Sequence, residues 1–377
     1  MKKINAVQTK LWIIIIFCFI NFVYTPLNAQ VLDSTYKIMN LNRSMPVKNQ
    51  DMTGTCWSFA TSSFIESEMI RMGHEDVDLS EMYFARCSYL QKAIRYAATN
   101  GKTELSEGGL SHDVMNILNL YGAVPNIVYS GKNHGELIHN HEELVMILKS
   151  IADTLVRYGY SNYPQRVIEA FDAILDVYLG KIPTTFTYQN RLYTPATYAK
   201  EVIAINPDDY VEITSYKNHE FYKQYQLDVP DNWSQNSKYF NVNVNELTDI
   251  IDTALFKGYT VAWDGDVTED YFKHLKGTAV LPFEVVENKP KTEITDDMRQ
   301  ATFDDKTTTD DHLMHITGIA KSKNGTKFYI TKNSWGANSN SCGGFIYMSE
   351  SYVKLKTIAI MVHKNAIPKY LASKLKF

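Results

Sequence analysis

The stretch Pro46-Val-Lys-Asn-Gln-Asp-Met-Thr-Gly-Thr-Cys-Trp-Ser-Phe-Ala60 places a cysteine where a loop enters a helix. Cys56 follows the flexible Gly54-Thr55 pair and opens a segment whose apolar residues recur at helical spacing until Gly73. A thiol in the first turn of a helix faces the positive end of the helix dipole, which favours the nucleophilic thiolate. The pattern therefore predicts a nucleophile at Cys56, with a buried and inert helix cysteine as the simpler alternative.

A cysteine nucleophile requires a base that takes its proton and a third group that orients the base. His312 and Asn333 are the candidates for these two roles. His315 competes with His312, but residues three apart in a strand face opposite sides, so only one of them can reach a shared cleft. Gln50, six residues before Cys56, carries an amide that can donate to an oxyanion formed beside the thiol.

Four motifs in this order resemble the active-site set of papain-like cysteine peptidases: Gln50, Cys56-Trp57-Ser58-Phe59, His312 and Asn333-Ser334-Trp335-Gly336. The cysteine that secreted papain-like enzymes carry before this run is absent, because the sequence reads Thr53-Gly54-Thr55. That difference, with Glu107-Gly108-Gly109 and Leu120-Tyr-Gly-Ala-Val-Pro125, resembles the bleomycin hydrolase/aminopeptidase C branch. The resemblance is strong over about 46–130 and about 255–365 and weak or absent between them.

The resemblance implies an α+β, papain-like two-lobed fold. We expect a helical lobe with the nucleophile at 30–130, a largely helical insertion at 131–245, and a β-rich lobe with His312 and Asn333 at 246–377. The insertion has helical patterning in its first half and no family motif. Strand-like runs at 259–263, 312–320, 328–333, 344–348 and 358–362 agree with an antiparallel sheet or barrel in the last lobe. A cleft is then expected between the lobes.

By the same resemblance, Cys56 attacks the peptide carbonyl and forms a thioester. His312 accepts the thiol proton, with a thiolate–imidazolium pair at rest, and returns it to the leaving amine. It matches the family histidine because it stands six residues before Gly318. Asn333 orients the imidazole, and Gln50 donates to the oxyanion together with the Cys56 backbone N–H.

Four further residues are expected to contact the substrate or shape the cleft. Gly108 and Gly109 would line the cleft and pair with the substrate backbone, although a simple turn before a helix explains the same pair. Ala262 would border the specificity pocket. Trp335 would cover the His–Asn bond and shape the leaving-group side.

The resemblance implies a peptide or protein substrate as the partner. The net charge of −4 gives no reason to expect nucleic acid or an anionic membrane, and the sequence contains no cofactor motif. The family also implies a homo-oligomer, because the region between its catalytic halves makes oligomer contacts. One polar cluster fits no metal spacing, so we predict a solvated loop and no metal site there: His134, Glu136, His139 and His141.

A basic start with Lys2, Lys3 and Lys10 precedes an apolar run at 11–24 and the small residue Ala29. This order predicts a signal peptide over 1–29 and an exported protein, periplasmic or extracellular, without membrane contact after cleavage. A membrane anchor is the alternative, but the apolar run is shorter than the ~20 residues that span a bilayer.

Of the cysteines outside this segment, we expect Cys87 to be buried and Cys342 to be exposed in a loop.

The sequence leaves three functions open. The family's restriction to aminopeptidase activity comes from a C-terminal tail in the cleft, whereas residues 367–377 here are short and basic. The first hypothesis is an aminopeptidase. The second is an endopeptidase of the same fold, and the third is a catalytically idle binding protein. The complete set of candidate catalytic residues argues against the third.

Overall fold

The computed structural model describes residues 35–159, 164–285 and 292–377, so the predicted signal peptide lies outside the described residues. In these ranges the helices are α1 (Cys56–Arg71), α2 (Glu81–Ala98), α3 (Ser111–Tyr121), α4 (Glu142–Tyr158), α5 (Pro164–Leu179), α6 (Pro195–Tyr198), α7 (Val244–Phe256), α8 (Pro282–Val285), α9 (Asp296–Asp304), α10 (Glu350–Lys356) and α11 (Lys369–Leu375). The expected α+β class is confirmed.

The strands in the same ranges are β1 (Tyr36–Leu41), β2 (Phe186–Tyr188), β3 (Arg191–Tyr193), β4 (Tyr210–Thr214), β5 (Gln224–Tyr225), β6 (Tyr239–Asn241), β7 (Val261–Gly265), β8 (Phe272–Lys273), β9 (Thr278–Ala279), β10 (His312–Ser322), β11 (Lys327–Lys332), β12 (Phe345–Ser349) and β13 (Thr357–His363). Strands β2 and β3 form a separate hairpin. The others form one sheet in the order β5-β6-β4-β13-β7-β10-β11-β12-β9-β8, with β1 also paired to β10.

Most neighbours in the main sheet run antiparallel, and the predicted β10–β11 hairpin is confirmed. Strand β12 continues the sheet beyond β11, and β13 pairs with both β7 and β4. The segment predicted as a largely helical insertion supplies α4 and α5 but also β4, β5 and β6 at one edge of this sheet. The reason lies in the β-branched and aromatic run at 210–214, whose five residues are all buried in the sheet.

Strand β1 falls within the predicted helical lobe at 30–130, but it pairs with β10 and therefore belongs to the sheet. Helices α1 to α5 build one apolar core, and the opposite face of the sheet builds a second with α7, α10 and α11. Helix α1 lies between the helices and the sheet, where Ala262 of β7 and Leu313 of β10 join its core. Every residue from Cys56 to Met69 is buried.

The last residues pack on the sheet lobe. Leu371 and Leu375 of α11 enter its core, Tyr370 donates to Asp249 on α7 at 2.8 Å, and Phe377 contacts Phe240 with ring centroids 4.8 Å apart. In this arrangement residues 369–377 contact α7 and β6 rather than a cleft beside α1. The expectation of a tail in the cleft, drawn from the family, does not apply to these residues.

The described cysteines are thiols, and all three are buried. This agrees with the expectation for Cys87, but the expectation of an exposed Cys342 was wrong. Its loop folds back because Asn340 Oδ1 accepts the Cys342 N–H at 2.9 Å, and the thiol packs against Gly277. Within the described ranges, no helix is both long enough and apolar enough to cross a bilayer.

A buried charge pair connects helix α3 to the sheet. Nδ1 of His112 lies 3.1 Å from a carboxylate oxygen of Glu212 on β4, and Nε2 lies 2.9 Å from Ser234 Oγ. Burial lowers the pKa of His112, but the carboxylates of Glu212 and Asp113 outweigh it and raise the pKa to about 9. The imidazolium form therefore holds the two lobes together at neutral pH.

We expect this pair to make stability fall at alkaline pH. The folded pKa lies above the unfolded value of about 6.5, so the stabilisation is complete below that value and is lost as the pH rises through 9. The free energy of unfolding should fall by about 3 kcal/mol over this interval, relative to His112→Gln. Urea titrations of both proteins at several pH values measure the difference, and parallel pH profiles would contradict it.

Candidate active site

The predicted histidine and asparagine lie together at one end of the sheet. His312 begins β10, Asn333 follows the neighbouring strand β11, and the two strands are antiparallel. His312 Nε2 and Asn333 Oδ1 are 2.7 Å apart, and both side chains are buried. Because Nε2 is bonded to Asn333, Nδ1 is the nitrogen left to exchange a proton with a nucleophile.

The thiol of Cys56 lies beside this pair. The backbone N–H of Leu313, the residue after His312, donates to the Cys56 sulfur. The Cys56 amide belongs to the first turn of α1, whose N–H groups have no partner within the helix. Helix α1 and the sheet thus bring together the cysteine, the histidine and the asparagine that the sequence singled out.

Gln50 is held next to the asparagine motif. Its Oε1 accepts from Ser334 Oγ at 2.6 Å, and its Nε2 donates to the Thr53 carbonyl at 2.6 Å. A side-chain amide has two N–H donors, so one remains after the bond to Thr53. This second donor and the first-turn amide of Cys56 are suited to an oxyanion that forms at the thiol.

Trp335 packs on the histidine from the outside. Its ring centroid lies 4.8 Å from that of His312 and 4.6 Å from that of His274, a residue that the sequence analysis missed. The ring therefore lies against His312, the residue whose bond to Asn333 it is predicted to cover. The competing His315 lies elsewhere: its Nδ1 is 2.8 Å from Ser63 Oγ on α1, away from Asn333.

The glycine pair borders the entrance of α1. The Glu107 carboxylate accepts the Gly54 N–H at 2.6 Å, and its carbonyl accepts from the Trp57 ring N–H at 2.9 Å. A Cβ on Gly109 would lie 3.0 Å from the Trp57 ring, so a side chain does not fit there. A Cβ on Gly108 would overlap the carboxylate of Asp231.

Ala262 is 1% exposed and packs in the helical core, so it is deeper than the predicted pocket border. The carboxylates that influence the thiol are instead those of Asp231, Asp264 and Asp310, here called the cleft carboxylates. Sequence reasoning missed all three, although Asp264 stands two residues after Ala262 and Asp310 two residues before His312.

Asp264 and Asp310 form a pair that shares a proton. Their four carboxylate oxygens are buried, and no donor from the described residues reaches them. Burial and the charge of Asp310 raise the pKa of Asp264 well above its ordinary value. Burial, together with the charge of Asp231, raises the pKa of Asp310 to about 7. Two carboxyls this close bond only when one keeps its proton.

The electrostatics of the site differ from the expected thiolate–imidazolium pair. Burial raises the pKa of the Cys56 thiol to about 12; the Leu313 N–H opposes this rise and the cleft carboxylates add to it. Burial lowers the pKa of His312 to about 4, although the hydrogen bond to Asn333 acts to raise it. Both shifts disfavour the charged forms, so burial at this site opposes a thiolate–imidazolium pair at rest.

The polar cluster at 134–141 is not simply a solvated loop. His134 and Glu136 are exposed, but His139 and His141 are buried with ring centroids 6.1 Å apart. Burial lowers the pKa of His141 to about 3, and Tyr89 bonds its Nδ1 at 2.9 Å. The prediction of a solvated loop was wrong for these two residues, because the loop packs against α2.

Three other acidic residues, Glu66, Asp78 and Glu81, approach one another closely enough to share a cation. The cation is the ammonium group of Lys48, which forms an ion pair with each of them. These acids thus anchor the loop that carries Gln50.

Comparisons with known proteins agree with this architecture. The chain matches the sequence model of the Peptidase C1-like family over residues 21–376. Aminopeptidase G of Lactobacillus delbrueckii subsp. lactis is 21% identical over 364 residues, which cover 86% of this chain and 82% of that protein. Aminopeptidase C of Listeria monocytogenes serovar 1/2a is 23% identical over 369 residues, which cover 86% and 81%.

The crystal structure of pepW from Lactobacillus rhamnosis HN001 is similar with a TM-score of 0.70 at 19% identity, covering 90% of this chain and 84% of that one. This likeness confirms the papain-like fold. Because the family match extends over nearly the whole chain, the protein is a cysteine-type peptidase of the Peptidase C1-like family, in its bleomycin hydrolase/aminopeptidase C branch.

Proposed function

We propose that the protein is an aminopeptidase that cleaves peptide bonds through a thioester on Cys56. The observation that carries this proposal is the hydrogen bond from the Leu313 N–H to the Cys56 sulfur, because Leu313 follows His312, which is bonded to Asn333. Relatives named aminopeptidase C and aminopeptidase G support the choice of exopeptidase activity.

The reaction follows from the roles of these groups. The Cys56 sulfur attacks the substrate carbonyl carbon while His312 Nδ1 takes the thiol proton. The second Nε2 hydrogen of Gln50 and the Cys56 amide stabilise the oxyanion. His312 then gives its proton to the leaving amine as the C–N bond breaks, which leaves a thioester. A water molecule, deprotonated by His312, hydrolyses the thioester, and the proton returns to the sulfur.

Asn333 contributes by fixing the imidazole. Its Oδ1 also accepts the Ser334 N–H at 2.7 Å, so the acceptor cannot turn away from His312 without losing that bond. Trp335 keeps water from competing for the same hydrogen bond.

An endopeptidase remains the second candidate, because residues 369–377 contact α7 and β6 and leave the cleft beside α1 without the tail that restricts the family.

We also propose export, on the strength of the basic start, the apolar run at 11–24 and the small residue Ala29. N-terminal sequencing of the protein recovered outside the cytoplasm should begin at Gln30. A protein that keeps its first residues in the cytoplasm would contradict export without affecting the peptidase proposal.

The nucleophile is tested by labelling and turnover together. A thiol-reactive peptide epoxide should label the wild-type protein and fail to label Cys56→Ala, because the reagent requires an activated thiol at the cleft. Turnover of aminoacyl fluorogenic substrates should fall to background in the same variant. Cys87→Ala is the matched control, since this buried thiol is on α2, and it should leave both readouts unchanged. Equal labelling of Cys56→Ala would exclude this nucleophile.

The resting protonation state is tested by alkylation with iodoacetamide, a small neutral reagent. Because a raised pKa leaves little thiolate at neutral pH, the Cys56 alkylation rate should rise about tenfold per pH unit above pH 7. Mass spectrometry of the modified peptide separates Cys56 from the other cysteines. A rate that stays flat from pH 5 to pH 9 would indicate the thiolate–imidazolium pair instead.

A further inference from the structure

A loop from the middle region lies over the glycine pair. Its conformation is fixed by Asn232, whose Nδ2 donates to the Leu227 and Asn236 carbonyls at 2.8 and 3.0 Å. The Asn236 N–H donates back to Asn232 Oδ1 at 2.8 Å. The Trp233 ring N–H donates to Asp113 Oδ2 on α3 at 2.9 Å, which attaches the loop to the helical lobe. Asp231 therefore occupies a defined position.

The Asp231 carboxylate lies where the backbone of a bound peptide would otherwise run. Both of its oxygens lie where a Cβ of Gly108 would be, and it accepts the backbone N–H of Gly109. An extended peptide binds such a cleft edge through backbone hydrogen bonds, for which the Gly109 N–H is the available donor. With that donor taken and the Asp231 carboxylate beside Gly108, a longer substrate chain loses this backbone hydrogen bond at the point where Asp231 lies.

The charges around Asp231 favour the binding of a cation to its carboxylate. Lys92 is the basic group that acts on it, while Asp113 and Glu104 add negative charge. The Lys92 amine is already bonded to the carbonyls of Ser106 and Gly108, and burial lowers its pKa. Burial raises the pKa of Asp231 to about 6, against the effect of Lys92, so the carboxylate is mostly ionised at neutral pH.

We propose that Asp231 binds the α-ammonium group of the substrate's first residue and thereby limits cleavage to one residue from the N-terminus. This inference rests on the proposed peptidase function and assigns its specificity to the loop at 227–236. The α-ammonium is favoured over a basic side chain because Asp231 is bonded to the Gly109 N–H, along the line where the substrate backbone would bind.

The same contact links substrate binding to the thiol. Asp231 is one of the carboxylates whose negative charge raises the pKa of Cys56. An ammonium group bound to Asp231 offsets that charge, so the thiol loses its proton to His312 more readily when an unblocked substrate is present. A blocked N-terminus brings no such charge into the cleft.

The variant Asp231→Asn tests the proposal, because it keeps the shape and the acceptor for Gly109 but removes the charge. We expect kcat/KM for a free-amine aminoacyl coumarin amide to fall about tenfold to a hundredfold, mainly through KM, as for the loss of one charge-assisted hydrogen bond. Turnover of the N-acetyl substrate should not fall. Asp228→Asn, an exposed aspartate of the same segment, is the matched control and should behave as wild type.

Two further readouts separate a binding role from a structural one. Removing a negative charge near Cys56 should speed its alkylation by iodoacetamide in Asp231→Asn, although the peptidase activity on free amines falls. On the wild-type protein, a desamino substrate that lacks only the α-amine should lose activity by a factor similar to that of the variant. This comparison needs no mutation, so a failure of the variant to fold leaves the proposal testable.

The outcomes are distinguishable from a failure of the proposed function. If neither substrate shows Cys56-dependent turnover, the peptidase proposal itself fails. If Cys56-dependent turnover is equal for free-amine, N-acetyl and desamino substrates, the peptidase proposal stands and the role of Asp231 is overturned. An equal loss on free-amine and N-acetyl substrates in Asp231→Asn would likewise reduce Asp231 to a structural residue.

Discussion

The burial of α1 from Cys56 to Met69 is the constraint on which the rest of the structure depends. Several of its polar residues bond to both lobes. Ser63 Oγ lies 2.8 Å from His315 Nδ1 and accepts from Lys332 Nζ at 2.8 Å on the sheet side, and Ser58 Oγ donates to the Glu81 carbonyl on α2 at 2.7 Å. A buried helix held by such bonds can neither rotate nor slide without breaking them. The position of Cys56 at its first turn is therefore fixed relative to the strand that carries His312.

Charge is arranged around this helix in two different ways. Beneath the loop of Gln50, three acids surround the Lys48 ammonium, so part of their negative charge is neutralised by an ion pair within the protein. In the cleft, burial raises the pKa of the Cys56 thiol, and the negative charge of the cleft carboxylates adds to that rise. The first arrangement stabilises the site, whereas the second is the basis of the proposed preference for peptides with a free N-terminus.

The catalytic candidates were predictable because each lies in a short local motif, and the structure brings Cys56, His312 and Asn333 together. Strands and helices with clear periodicity were predictable for the same reason. Asp231 was not, because its approach to Gly108 depends on how a loop some 120 residues away folds back. The strands of the middle region were also missed: β4 has a β-branched and aromatic run but pairs with β13 far along the chain, and β5 and β6 are only two and three residues long.

The most direct test of the account is digestion of a short synthetic peptide, free or acetylated at its N-terminus, followed over time by mass spectrometry. The account predicts that the free peptide loses one residue at a time from its N-terminus and that the acetylated peptide stays intact. Internal fragments from the acetylated peptide, formed by the wild-type protein and not by Cys56→Ala, would contradict the account and establish an endopeptidase.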